Sequence, residues 1–138
     1  PLNNPTNNIE WWKEAAEAAR AFITRNNQQT KPYKLYRTSD NDPTRHGEIN
    51  AIKNTCKNMS TFDLSGCELY TSAYPCPMCL GAIMWANIKT VYYGATAQDT
   101  GNIGFRDDFM YEWLNNKNED SLSLIEMDRK ECVEVQRM

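Results

Sequence analysis

A histidine and a pair of cysteines have the residue types and the spacing of a catalytic zinc site. His46 is the only histidine in the chain, and Cys76 and Cys79 form a Cys-x-x-Cys pair that begins after a proline. A catalytic zinc ion takes three protein ligands from histidine nitrogen and cysteine sulfur and leaves its fourth position to water. The two-residue gap allows both thiolates to lie at one helix N-terminus, where the helix dipole favours their negative charge. The spacing therefore predicts one zinc ion per chain, bound by His46, Cys76 and Cys79.

Glu48 lies two residues beyond His46 and has the chemistry of a general acid and base. On the first turn of a helix, this offset turns the carboxylate away from the metal and towards the water that the metal binds. Zinc lowers the pKa of such a water towards neutrality. A carboxylate beside it can accept the water's proton and pass it to a leaving amine. We therefore predict that Glu48 is catalytic.

Two other interpretations of the cysteines explain less of the pattern. A structural zinc site needs a fourth ligand, which Cys56 or Cys67 could supply, but this arrangement gives Glu48 no role. A thioredoxin-like redox pair leaves the histidine and its glutamate unexplained. The odd number of cysteines and the absence of an apolar leader argue against a secreted disulfide framework. The pattern favours a metal site in a reducing cytoplasm.

The composition indicates one globular domain over residues 1–138. The sequence is 41% hydrophobic and 24% charged, which is ordinary for a globular protein. No apolar run approaches the roughly 18 residues that cross a bilayer, so no membrane association is expected. The net charge of −3 provides no basic stripe for phosphates. It favours a small free substrate and makes a nucleic-acid partner unlikely.

The patterns of apolar residues and turn signals predict alternating helices and strands. A long loop is expected over 95–106. The predicted helices cover 9–25, 46–59, 78–87, 108–114 and 129–138, and the predicted strands cover 33–37, 68–71, 90–94 and 122–127. Strands that alternate with helices predict a layered helix–sheet–helix α/β domain.

Between residues 41 and 113 the chain resembles the cytidine-deaminase superfamily, and within it the bacterial guanine deaminases and related nucleoside deaminases. The motif His-x-Glu followed by Pro-Cys-x-x-Cys is the signature of the zinc deaminases. The stretches 41–52 and 75–86 are shared widely in the superfamily, and 104–111 is similar to a run of the guanine branch. The resemblance implies a three-layer α/β/α cytidine-deaminase-like fold with a central mixed sheet. It also implies hydrolysis of guanine to xanthine and ammonia by a homodimer that exchanges C-terminal segments.

Four residues are candidates for contacts with the substrate. Asp107 and Trp85 match family positions near the base. The alternative for Asp107 is that it serves solely to cap a helix, and the alternative for Trp85 is that it serves solely to pack in the core. Asn50 lies one helical turn beyond His46 and faces either the site or solvent. Phe105 either stacks on a flat base or anchors its loop.

Two departures from the family pattern keep other functions open. Residues 28–40 are too few for the β-hairpin that the family carries before His-x-Glu, so either the sheet lacks this hairpin or the sequence lacks a loop. Tyr74 precedes Pro75 where the family commonly has glutamate. The alternatives are a deaminase of cytosine, adenosine or a pterin-like heterocycle, and a catalytically dead, zinc-stabilised binding module. A tRNA adenosine deaminase is less favoured by the acidic charge.

Overall fold

The computed structural model describes residues 20–26, 28–29, 31–35, 41–104, 107–116 and 122–137. In chain order its elements are β1 (Arg20–Arg25), β2 (Gln28–Gln29), β3 (Tyr33–Lys34), α1 (Gly47–Met59), β4 (Glu68–Ala73), α2 (Pro77–Trp85), β5 (Thr90–Ala95), α3 (Ala97–Asn102), α4 (Asp107–Asn116) and α5 (Arg129–Gln136). In these ranges no helix is long and apolar enough to cross a membrane.

The sheet is mixed, as the family resemblance implied, and it has five strands. The strand order is β2-β1-β4-β5, and β3 also pairs with β1. β4 runs antiparallel to β1 and parallel to β5. The helix α2 connects the two parallel strands, which need such a crossover. The α/β fold class is thus confirmed.

The prediction of a helix over 9–25 is wrong for its last part, because Arg20–Arg25 is strand β1. Four consecutive residues of this strand, from Ala21 to Thr24, are almost completely buried. A strand that is buried on both faces shows an unbroken apolar run, which periodicity cannot distinguish from a buried helix. The remainder of that predicted helix, 9–19, lies outside the described residues.

The hairpin that the spacing seemed to exclude is present, because β1 supplies its first strand. Thr24 pairs with Gln29 and Ala21 with Tyr33, both in antiparallel register. Asn26 opens the turn at φ 51°, a left-handed conformation that asparagine tolerates better than most residues. Of the two alternatives for this segment, the one in which the sheet lacks an edge hairpin is therefore wrong.

The core lies between one face of the sheet and the helices α1 and α2. Its buried residues come from both helices, from β1 and β4, and from the connections: Ile23, Ala51, Leu64, Cys67, Leu69, Ile83, Ala86 and Ile88. On the opposite face of the sheet, the Tyr70 ring stacks on Phe22 with centroids 5.2 Å apart and on Tyr92 with centroids 4.7 Å apart. This alternation of faces fixes the register of β4 against both neighbours.

Two predictions near the C-terminus differ from the structure. The expected loop over 95–106 contains α3, which begins with a capping box between Thr96 and Asp99. The expected strand over 122–127 is not a strand, and its residues are exposed. A strand needs a partner for its backbone groups, and within the described ranges none pairs with this segment. The predicted terminal helix is confirmed as α5.

Candidate active site

His46 and Glu48 are held by a close contact between the start of α1 and the end of β3. The Gly47 N–H donates to the Leu35 carbonyl at 2.9 Å. A Cβ atom at position 47 would lie 2.5 Å from the Lys34 carbonyl oxygen and 2.6 Å from that of Tyr33. Only glycine fits this approach, which explains why a glycine separates the histidine from the glutamate.

The two cysteines lie at the start of α2, as their spacing predicted. Cys76 is the N-cap residue, with φ −66° and ψ 166°, and Pro77 occupies the first turn. Pro77 needs no hydrogen-bond partner there and its fixed φ suits the helix entry. Cys79 follows on the same turn, and both thiols are buried. The N-termini of two helices, α1 and α2, thus converge on the site.

His46, Cys76 and Cys79 have a geometry that fits zinc. The His46 Nδ1 atom is 3.6 Å from the Sγ atom of each cysteine. Tetrahedral zinc with bonds of about 2.1 Å to nitrogen and about 2.3 Å to sulfur would separate these atoms by about 3.6 Å. The three ligand atoms all lie within 4.8 Å of one another. The interpretation of a four-ligand structural site is not supported, because Cys56 and Cys67 pack in the core cluster.

Hydrogen bonds among the three ligand side chains shift their pKa values in different directions. A hydrogen bond with Cys79 lowers the pKa of Cys76, and the same bond together with burial raises the pKa of Cys79. The hydrogen bond with Cys76 raises the pKa of His46. A metal ion binds deprotonated cysteine and neutral histidine, so its binding must displace these protons.

Glu48 is buried beside the three ligands. Its side chain is 4% exposed, and its Oε1 atom has no hydrogen-bond partner in the part of the chain that the structure describes. Burial raises the pKa of Glu48 to about 7, and the charges of Cys76 and Asp107 act in the same direction. Leaving a buried carboxyl oxygen unpartnered is costly. The unpartnered Oε1 atom can therefore accept a proton or a hydrogen bond from a molecule bound in the site.

The substrate candidates lie at different distances from this centre. Asp107 is the first residue of α4, is buried, and raises the pKa values of His46, Glu48 and Cys79 by its charge, so it lies near the site. A carboxylate in the first turn also favours the helix.

Asn50 is half-buried on α1, and its N–H donates to the His46 carbonyl at 3.0 Å. Trp85 ends α2 and is 86% exposed, so the alternative of core packing is wrong. Phe105 lies outside the described residues. Contact of these residues with a substrate stays a prediction.

Tyr93 and Tyr111, which the sequence did not single out for the site, pack against Tyr74 just before the first cysteine. The Tyr74 ring meets Tyr93 at 4.9 Å and Tyr111 at 5.7 Å, edge to face in both cases. The Tyr111 hydroxyl donates to the Pro75 carbonyl at 2.5 Å. Their neighbourhood arises from the packing of β5 and α4 around the start of α2, for which the sequence carries no local signal.

Comparisons with known proteins agree with this geometry. Residues 13–95 match the family of the cytidine and deoxycytidylate deaminase zinc-binding region. Guanine deaminase of Bacillus subtilis (strain 168) is 47% identical over 83 residues, which are 60% of this chain and 53% of the relative. A tRNA-specific adenosine deaminase of Haemophilus influenzae is 41% identical over 75 residues, 54% of this chain and 43% of the relative. The chain spans about half the length of these curated relatives. The X-ray structure of guanine deaminase from Bacillus subtilis matches with a TM-score of 0.82 at 32% identity, over 99% of this chain and 92% of that one.

Proposed function

Because the chain belongs to the cytidine and deoxycytidylate deaminase zinc-binding family, we propose that it hydrolyses guanine to xanthine and ammonia with one zinc ion per chain. The observation that carries this proposal is the buried Glu48 carboxyl beside three ligand atoms whose separations fit tetrahedral zinc. The 47% identity with a guanine deaminase supports the choice of base.

Glu48 performs the proton transfers of the proposed reaction. When bound, zinc supplies the Lewis acid that activates the attacking water. The Glu48 carboxylate accepts a proton from this water while the water oxygen bonds to C2 of guanine. Glu48 then delivers that proton to the adjacent ring nitrogen. The second water proton passes through Glu48 to the amino group, the C2–N bond breaks, and ammonia leaves. The water oxygen remains as the new carbonyl of xanthine.

Asn50, Trp85, Phe105 and Asp107 are proposed to contact the base. Asp107 has the best support, since its carboxyl is buried and its charge acts on the catalytic glutamate. A carboxylate at this place can accept hydrogen bonds from ring N–H groups of a purine.

The test of the function is ammonia release from guanine, guanosine, cytosine and adenosine. We expect release from guanine, loss of turnover in Glu48→Gln, and one equivalent of zinc in both proteins. Glu112→Gln is the matched control, because Glu112 is exposed on α4. Activity on cytosine but not on guanine would refute the choice of substrate. Zinc at one equivalent without any activity would favour the binding module, and loss of zinc in Glu48→Gln would contradict its role.

A second candidate is deamination of adenosine in tRNA, which the 41% identity with a tRNA-specific enzyme favours. The active-site chemistry would be the same. Adding tRNA to the substrate panel separates the two candidates. The net charge of −3 argues against the tRNA candidate, because it gives weak attraction to phosphates. Inosine formed in tRNA, with guanine unchanged, would establish this candidate in place of the first.

We further propose that the protein is a cytoplasmic homodimer whose subunits exchange C-terminal segments. The support is the exposure of the segment 122–137, in which Leu124 is 74% and Ile125 is 84% exposed. Exposed apolar runs of this kind mark surfaces that another chain covers. In light scattering, Ile125→Asp should give a monomer and the neighbouring Glu126→Gln should remain dimeric. A monomeric wild-type protein would refute the proposal.

A further inference from the structure

Tyr111 on α4 contacts both residues that precede the first cysteine ligand. Its hydroxyl donates to the Pro75 carbonyl at 2.5 Å, and its ring lies edge-on to Tyr74 with centroids 5.7 Å apart. Both Tyr111 and Tyr74 are half-buried, and Pro75 is fully buried. Little water reaches such a site, so solvent competes weakly for the donor and acceptor and the hydrogen bond is strengthened.

The strand β5 holds the same segment from its other side. The Tyr74 N–H donates to the Ala95 carbonyl at 2.7 Å, which continues the pairing of β4 with β5 for one residue. The Tyr93 ring meets the Tyr74 ring at 4.9 Å and 87°. Tyr74 and Pro75 are thus fixed between a strand and a helix before the chain enters α2.

The Pro75 carbonyl bears directly on the orientation of Cys76. It belongs to the same planar peptide unit as the Cys76 N–H, so a bond to the carbonyl fixes the plane from which the Cys76 side chain departs. Pro75 and Pro77 fix their own φ angles and restrict the residues before them, but they do not fix the ψ angle of Pro75. The hydrogen bond from the Tyr111 hydroxyl to the Pro75 carbonyl restrains the rotation that remains.

We propose that Tyr111 is a positioning residue of the zinc site: its hydroxyl orients the Pro75–Cys76 peptide and thereby places the Cys76 thiolate for the metal. The proposal rests on the proposed function in requiring that zinc binds at His46, Cys76 and Cys79. It assigns Tyr111 an effect on the metal through Cys76 and no contact with substrate.

The variant Tyr111→Phe tests this, because it removes the hydroxyl and keeps the ring against Tyr74. Zinc affinity is measured by competition with a chromophoric chelator, and ligand geometry by the absorption spectrum of the cobalt(II)-substituted protein. Loss of an outer partner of a metal ligand costs about 10-fold or more in affinity, and we expect a loss of about that size. The thiolate-to-cobalt band should also shift.

Tyr93→Phe is the matched control. Its ring also contacts Tyr74, but it is 46% exposed and lies on β5. We expect wild-type zinc affinity and a wild-type cobalt spectrum for this variant. Equal losses in both tyrosine variants would overturn the specific role of the Tyr111 hydroxyl.

Two further results would overturn the proposal. One is a Tyr111→Phe protein with unchanged affinity and spectrum. The other is a protein that unfolds more easily without metal but keeps the wild-type spectrum, which would make Tyr111 merely structural. Both readouts are independent of turnover, so a wild-type protein that binds zinc and deaminates nothing would refute the proposed function and leave this inference to be decided separately.

Discussion

Replacing Gly47 by alanine places one methyl group against the backbone of β3. The new Cβ atom would lie 2.5 Å from the Lys34 carbonyl oxygen, and real Cβ atoms essentially never come closer than 3.0 Å to such an atom. The start of α1 and the end of β3 must therefore separate by about 0.5 Å. Both partners are backbone, so no side-chain rotation can relieve the contact.

The cost has two parts. Overpacking of a tight interior contact costs about 1–3 kcal/mol. The separation also weakens the 2.9 Å hydrogen bond from the Gly47 N–H to the Leu35 carbonyl, and such a bond contributes about 1 kcal/mol. We expect Gly47→Ala to lower the free energy of unfolding by about 2–4 kcal/mol. With a urea m-value of about 2 kcal/mol/M, the midpoint should fall by about 1–2 M.

Urea unfolding of the zinc-free protein measures this, and zinc competition reports on His46, which adjoins the displaced residue. Gly81→Ala is the control. A Cβ atom at position 81 meets nothing within 4 Å, and alanine in a helix interior is favoured over glycine by about 0.5–1 kcal/mol. The same substitution should thus destabilise at 47 and stabilise at 81. A Gly47→Ala protein with the stability and zinc affinity of the wild type would refute the reasoning.

Two more predictions concern stability. Thr96→Ala removes the capping box of α3, in which the Thr96 hydroxyl accepts a hydrogen bond from the Asp99 N–H at 3.1 Å. It should lower the free energy of unfolding, measured in urea, by about 1 kcal/mol. Thr96→Ser retains the cap, so an equal loss in both variants would contradict this explanation. Burial raises the pKa of Tyr70 to about 12, against about 10 in an unfolded chain. Because only the folded chain resists this ionisation, the unfolding free energy should be unaffected below about pH 10 and fall as the pH rises to 12. Tyr70→Phe should show a smaller fall across that window in urea titrations at fixed pH, and identical slopes for the two proteins would count against the assignment.

The zinc ligands and the helices that carry them were predictable from sequence because their signals are local. The proline-flanked Cys76 marks the entry of α2, and the spacing of His46 and Glu48 marks the entry of α1. Each motif places its groups on the first turn of its own helix, and the spacing that does so is visible in the sequence. The two motifs then meet because both helices pack on the same face of the sheet.

Sequence-based predictions and the structure differ mainly where tertiary contacts decide the conformation. β1 carries a buried apolar run whose periodicity fits either a helix or a strand, and only its pairing with β4 distinguishes the two. The segment 122–127 has the composition of a strand but lacks a pairing partner in the described ranges. For α3 the sequence does carry a local signal, since Thr96 and Asp99 have the spacing of a capping box.

The contact between Tyr111 and Pro75 could not have been predicted. Tyr111 and Pro75 are separated by 36 positions, and neither carries a pattern that points to the other. Their contact follows from the packing of α4 against the start of α2. Sequence motifs thus identify the ligands, whereas the residues that orient them emerge only from the fold.

The exposed C-terminal segment has a consequence for how this chain can change over generations. Residues 122–128 are all exposed, and α5 buries none of its side chains. Exposed substitutions remote from a core usually alter stability by no more than about 0.5 kcal/mol. Within a single subunit, mutations of Leu124, Ile125 and their neighbours can therefore accumulate at little cost to the core or to the ligands of the metal. Selection can therefore change the contacts that this segment makes independently of selection for the folding of the single domain.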